Sequence, residues 1–159
     1  MTDTTAGAER VTDAPPAQPE EPEHQRHTGY LIRRAQQLHV AAWTRIVSTD
    51  ISSVQYSILA SLDRVGQASQ RELCDEIDLD RSTIADLVSR MERRGLIERW
   101  RDPQDARRNT VALTPFGRAE RLRLMPLVDD VQRELTASLS ETDRRELHRI
   151  LRALLGHHA

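Results

Sequence analysis

The chain of 159 residues has no lysine, one cysteine, one phenylalanine, two tyrosines, two tryptophans and six glycines. With Cys74 as its single cysteine, it cannot form an intramolecular disulfide or build a thiolate metal cluster from one chain, and a reducing compartment is consistent with that. No stretch approaches the roughly 18 apolar residues of a membrane span, and residues 1–12 lack the basic and apolar pattern of a signal peptide, so a cytoplasmic protein is expected. Gly-rich phosphate loops, nucleophile elbows and paired-carboxylate constellations are all missing, which argues against an enzyme and leaves no catalytic residue to name. The histidines His24, His27, His39, His148, His157 and His158 are not spaced as ligands, so neither a metal nor another cofactor is expected.

The basic residues that are present are all arginine, 23 of them against 25 acids, for a formal charge of −2. That average hides an uneven distribution. Residues 1–27 hold six acids against Arg10 and Arg26, together with Pro15, Pro16, Pro19 and Pro22, and read as a disordered acidic tail. Residues 81–108 carry eight arginines against five acids in a short stretch. Hydrophobic residues make up 38 %, a low share for a compact monomer but an ordinary one where amphipathic helices cover a second copy.

From Thr28 onward the pattern is that of one folded domain. Residues 30–47 read as a long helix with Ile32, Ala35, His39, Ala42 and Ile46 on one stripe. Ser52 or Ser53 caps a second helix that carries Val54, Ile58, Leu59 and Leu62 and ends near Gly66. Ser69-Gln70-Arg71-Glu72 is a capping-box pattern, opening a short helix with Leu73 and Ile77 inward and Cys74 as a small buried thiol. After a turn at residues 78–80, Asp80 caps a helix over residues 81–94, with Ile84, Leu87, Val88 and Met91 on one face and Gly95 as its stop. Helix, tight turn and helix with a polar outer face make a helix-turn-helix.

Two short strands follow, at residues 96–100 and 110–114, joined by the polar loop 102–108 into a hairpin with a basic tip. Pro115 opens a further helix whose seam is Leu122, Val128, Val131, Leu135 and Leu139 and which Pro126 should kink. Ser140 and Asp143 open a last helix with Leu147, Ile150, Leu151 and Leu154 along one face. The expected fold class is mainly α with a small β-hairpin wing. The flanking apolar stripes fit either an intramolecular core or a second copy of the chain.

The segment Gly-Leu-Ile-Glu-Arg from Gly95, with Asp-Pro-Gln-Asp-Ala-Arg-Arg from Asp102 and Val-Ala-Leu-Thr-Pro-Phe-Gly ending at Gly117, resembles the wing signature of the MarR family of bacterial regulators. The resemblance extends from about Thr28 to the end. It implies a winged helix over residues 53–114 between dimerisation helices at 28–49 and 116–159, and a homodimer on double-stranded DNA, on an imperfect palindrome. A recognition helix reaches base edges from its amino-terminal end and polar face, here Arg81, Ser82, Thr83, Asp86, Ser89, Arg90 and Arg93. The alternative for Arg90, Arg93 and Arg94 is a solvated helix face.

In the family's wing, an Asp holds the loop while an Arg two residues later enters the minor groove, whose negative potential favours a guanidinium. Asp105 and Arg107 match that pattern, with Arg108 near phosphate; the alternative is a surface ion pair between Asp105 and Arg107. Residues 29–37, Gly-Tyr-Leu-Ile-Arg-Arg-Ala-Gln-Gln, resemble the branch that responds to aromatic carboxylates such as protocatechuate. That branch places an Arg on the ligand carboxylate and a His near the ring, matching Arg33 and His39, with Trp43 one turn later as an aromatic wall. A spacing of six sets Arg33 and His39 about 120° apart on an ideal helix, so one pocket takes both only if it wraps the helix or draws on two chains. The alternatives are an ion pair for Arg33 and interface packing for His39 and Trp43. Some relatives sense oxidants through a cysteine on the first helix, which Cys74 is not. Family habit implies repression relieved by a small aromatic acid; a non-DNA-binding interaction module is the reading from another class.

Overall fold

A computed structural model describes residues 22–101 and 109–156. It divides into two units, Met1–Arg34 and Ala35–Ala159. In the first, a 3₁₀ turn at Glu23–Arg26 precedes the start of α1 (Thr28–Ile46), so regular structure begins inside the segment read as tail. The His24 and Tyr30 rings meet edge to face at 4.9 Å, and the Arg33 guanidinium lies 5.1 Å from the Tyr30 ring centre.

The second unit holds the rest of α1, a winged helix and two further helices. Helix α2 (Ser53–Val65) starts where Ser52 accepts from the Gln55 amide at 3.2 Å while the Gln55 side chain accepts from the Ser52 amide at 3.0 Å. The same reciprocal cap, Ser69 with Glu72, starts α3 (Gln70–Ile77). Asp78, in the left-handed region at φ 55°, turns the chain towards α4 (Arg81–Arg93), and Gly95 at φ 70° reverses it into the wing. The sheet has three antiparallel strands in the order β1 (Gln67–Ser69), β3 (Asn109–Leu113), β2 (Ile97–Arg101). The hairpin is where the sequence places it, with Ile97 opposite Leu113 and Arg101 opposite Asn109. Strand β1 is an addition to the sequence reading: it pairs Ala68 with Val111, and Ser69 serves both as its last residue and as the cap of α3.

Ile58, Leu59 and Leu62 from α2, Leu73 from α3, Ile84, Val88 and Met91 from α4, Leu96, Ile97 and Val111 from the wing, and Leu124 from α5 (Pro115–Leu135) form the core, each at most 2 % exposed. Full burial of such side chains contributes about 1.5 to 3 kcal/mol apiece, so this cluster holds α4 and the β2–β3 hairpin in fixed relation. Cys74 is half-buried at its edge, not enclosed as expected, because only Leu73 among the residues of α3 is fully covered.

Helix α5 continues through Pro126 without ending there. Its buried positions are Gly117, Leu124 and Val131, at intervals of seven; Leu122, expected in the seam, is 52 % exposed. The apolar residues of α5 lie on more than one face, and the row meeting the winged helix is the one containing Leu124. On α2, Asp63 receives Arg118, and Arg121 at 3.3 Å, which ties the start of α5 to the winged helix. Helix α6 (Glu141–Leu154) is joined to the end of α5 through Arg144 Nε, which donates to the Thr136 carbonyl at 3.2 Å, and has no buried residue in the single chain.

Candidate nucleic-acid interface and effector cleft

Helix α4 divides into two faces. Ile84, Leu87, Val88 and Met91 are buried, while Arg81, Ser82, Thr83, Asp86, Arg90 and Arg93 are exposed and Ser89 is partly so. All seven residues expected to read DNA therefore lie on or beside one open surface. Among the described residues Arg81 and Arg93 have no ion-pair partner; Arg90 pairs with Asp86 one turn earlier in an exposed pair worth little by itself. Arg90 and Arg93 border an open groove between α4 and the start of α2. The expected wing residues Asp105, Arg107 and Arg108 lie outside the described residues. On the adjoining strand β2, Glu98, Arg99, Trp100 and Arg101 are exposed, and Arg99 pairs with Glu92 of α4 at 2.8 Å.

Asp80, the cap of α4, carries a network that sequence reading gave only as a cap. Its carboxylate accepts from the Ser82 hydroxyl, from the Thr83 amide at 2.9 Å and from the Thr83 hydroxyl at 2.6 Å. The Ser82 hydroxyl first, then both Thr83 donors, hold the carboxyl well below the usual carboxylate range. Both hydroxyl protons are thereby directed to Asp80, leaving Ser82 and Thr83 their oxygen lone pairs for a base or water.

The shift fixes a pH dependence. A folded pKa below the unfolded value of about 3.9 means that the ionised cap contributes fully above that value and loses its contribution as pH falls through the folded one. Asp80→Asn keeps the capping oxygen but does not titrate. Between about pH 5 and pH 2.5, thermal unfolding of the unsubstituted chain is therefore expected to fall more steeply than that of Asp80→Asn. Parallel curves would show that the cap is not what holds the carboxyl ionised.

The second feature is a cleft of about 420 Å³ lined by His39, Trp43, Ser53, Val54, Tyr56, Ser57, Ile77, Leu79 and Val128. Trp43 is 6 % exposed, with its indole N–H donating to the Ile51 carbonyl at 2.7 Å, so its polar end is satisfied and its rings remain for packing. Around it, His39 and Tyr56 each lie 5.9 Å away, ring centre to ring centre. Burial raises the Tyr56 pKa above the ordinary phenol value, so its hydroxyl is a proton donor throughout the neutral range. Of the three residues expected to hold a ligand, His39 and Trp43 thus meet in one cleft; Arg33 belongs to the Met1–Arg34 unit, over Tyr30. Sequence reading missed Ser53, Val54, Tyr56, Ser57, Ile77, Leu79 and Val128 as lining, because they come from three separate segments whose local pattern marks only core or cap.

A helix-turn-helix backed by a three-stranded wing, with an exposed arginine-bearing second helix, defines a winged-helix DNA-binding protein. Comparison with known proteins narrows this. A model of the MarR family matches residues 51–108. The transcriptional repressor NicR of Pseudomonas putida is 30 % identical over 128 residues, which are 80 % of this chain and 81 % of NicR. The crystal structure of the PcaV transcriptional regulator from Streptomyces coelicolor, in complex with its natural ligand, superposes with a TM-score of 0.81 at 36 % identity, covering 83 % of this chain and 94 % of PcaV. A mutant MarR from E. coli complexed with operator DNA does so with a TM-score of 0.74 at 27 % identity, over 80 % and 92 % of the two chains. The chain belongs to the MarR family of transcriptional regulators and is not an enzyme. Among the described residues, no helix is long and apolar enough to cross a membrane.

Proposed function

We propose that this regulator is a homodimeric repressor that binds an imperfect palindrome and is released by a small aromatic carboxylate. The observation that carries the DNA reading is α4: one face sealed in the core, the other presenting Arg81, Ser82, Thr83, Ser89, Arg90 and Arg93 to solvent. An arginine fork bonds guanine or phosphate with two hydrogen bonds, and Ser and Thr bond either bases or phosphate. Asp86 orients Arg90 across that face. Asp105, Arg107 and Arg108 act from the wing, with Arg107 in the minor groove. Two copies about an axis address half-sites roughly 10 base pairs apart, or a multiple of that.

The cleft supports the effector reading. Trp43 supplies a flat apolar wall, and His39, Tyr56 and two serines supply a few polar groups, a lining suited to a small ring. Likeness to NicR, a repressor, and to PcaV, crystallised with its natural ligand, supports the sign of regulation and the presence of an effector. Arg33 is proposed as the carboxylate contact on the strength of the family motif and its forked geometry.

The test is affinity for duplex DNA from upstream of the protein's own gene against a shuffled duplex at equal salt, with and without a panel of hydroxybenzoates. Sequence-dependent binding weakened by one compound is expected. Arg81→Ala is expected to cost about 1 to 3 kcal/mol of specific affinity and to relax the preference at one base pair. Arg33→Ala should abolish the response while leaving DNA binding intact. Equal affinity for shuffled DNA would remove the DNA reading; a response that survives Arg33→Ala would point to an effector without a carboxylate.

A further inference from the structure

The turn at residues 48–52 joins α1 to α2, and two of its successive carbonyls are bonded from two different elements. The Ile51 carbonyl accepts from Trp43, a wall of the cleft. The neighbouring Asp50 carbonyl accepts from Arg94, the residue that closes the carboxy-terminal end of α4. The turn between them is stiff. Ser48 Oγ accepts from the amides of Asp50 at 2.8 Å and Ile51 at 3.3 Å, the Ser52 amide donates to Gln55, and Ile51 is 2 % exposed in the core. At the other end of α4, Leu79 lines the cleft and is covalently joined to the cap Asp80.

We infer that the turn at residues 48–52 is the coupling element of this regulator, carrying occupancy of the Trp43 cleft to the carboxy-terminal end of α4 through the adjacent Ile51 and Asp50 carbonyls, held by Trp43 and Arg94. This rests on the reading of the cleft as the effector site and of α4 as the DNA reader. An occupant that shifts the indole displaces the Ile51 carbonyl, which is buried and has no water to turn to. Because the amides of Asp50 and Ile51 are bonded within the turn and that of Ser52 to Gln55 in the first turn of α2, the Asp50 carbonyl moves with it. Arg94 transmits that movement to one end of α4 while Leu79 bears on the other. A helix held at both ends by groups tied to one cleft shifts as a rod, and a ligand biases it by the difference in its affinity for the two positions.

Two readouts on the full-length protein test this. The first needs neither ligand nor DNA: amide hydrogen exchange. Trp43→Phe, on α1, is expected to speed exchange of residues 90–94 at least about threefold; Arg94→Ala should do the same, and the double variant should add nothing further. Exchange changes from Trp43→Phe that stay within α1 and α2 would overturn the inference. The second uses 3,4-dihydroxybenzoate as the probe. Arg94→Ala, which is outside the cleft lining, should bind the probe as the unsubstituted chain does, while the ratio of DNA dissociation constants with and without probe falls to within about twofold of one. A ratio kept at its original value would overturn the inference equally. If the probe fails to bind the unsubstituted protein, the effector class is wrong, and the exchange measurement still decides the role of the turn.

Discussion

Gly117→Ala is expected to destabilise the protein by about 3 kcal/mol, a loss of roughly 6 to 12 °C in Tm for a chain of this size at fixed protein concentration. The cause is a close approach. A Cβ on Gly117 would lie 1.8 Å from the Leu96 carbonyl oxygen and 2.8 Å from its carbon, so backbone must move. It has little room to do so. The Leu96 carbonyl accepts from the Thr114 amide and hydroxyl, each at 3.2 Å, and the same hydroxyl lies 2.5 Å from the Gly95 carbonyl and accepts from the Gly117 amide at 2.9 Å. Thr114-Pro115-Phe116-Gly117 is thus a clasp between the first turn of α5 and the start of β2, and a methyl group there pushes apart two elements whose residues Leu96 and Leu124 are both buried. Gly29→Ala is the control, since nothing lies within 4 Å of that position and helix propensity favours alanine; it should be neutral or slightly stabilising. Differential scanning calorimetry of both variants checks the pair. A loss under 1 kcal/mol for Gly117→Ala would mean that the clasp yields easily and that the motif has some other reason.

The contrast between those glycines shows what could be read from sequence. Helix-turn-helix, hairpin and caps were legible because each has a local chemical cause: Ser69 with Glu72, Asp80 before an apolar period of three to four, Gly95 where φ turns positive. Strand β1 was not legible, because three residues are too few to show alternation and Ser69 is also a helix cap. On α5, period alone could not choose between rows containing Leu122 and Leu124, since both are leucines and only the partner surface distinguishes them. The polar face of α4 was legible for the same reason as its buried face, one being the complement of the other. The cleft was legible only in part. His39 and Trp43 share α1, but Leu79, Tyr56 and Val128 join them through tertiary packing that leaves no mark on the local pattern. Least accessible of all were bonds to main-chain carbonyls, Trp43 to Ile51 and Arg94 to Asp50, because an acceptor present at every residue carries no sequence signal.

For the homodimer proposed above, Leu151→Asp is expected to shift the protein from dimer to monomer at micromolar concentration and to weaken specific DNA binding at least about 100-fold. Leu147, Ile150, Leu151 and Leu154 recur along one face of α6, each 36 % to 59 % exposed in the single chain, and α6 has no buried residue. Among the described residues nothing covers that stripe, and in the proposed homodimer a second copy covers it, together with Phe116, Leu122 and Met125, which are also open on α5. In a two-fold interface each substitution is counted twice, so a single Asp places two carboxylates in apolar surroundings. The winged helix should survive, because its core runs from Ile51 to Leu124 and includes nothing from α6. That separation makes the result interpretable: circular dichroism should show a folded chain, sedimentation should show a mass falling from about twice 18.2 kDa to that value, and DNA titration should show one half-site held alone. Leu151→Met, similar in volume and apolar, should keep both dimer and affinity. If Leu151→Asp proved monomeric yet bound its operator as tightly as before, each α4 would read DNA independently, and coupling through the turn at 48–52 would act on each α4 alone.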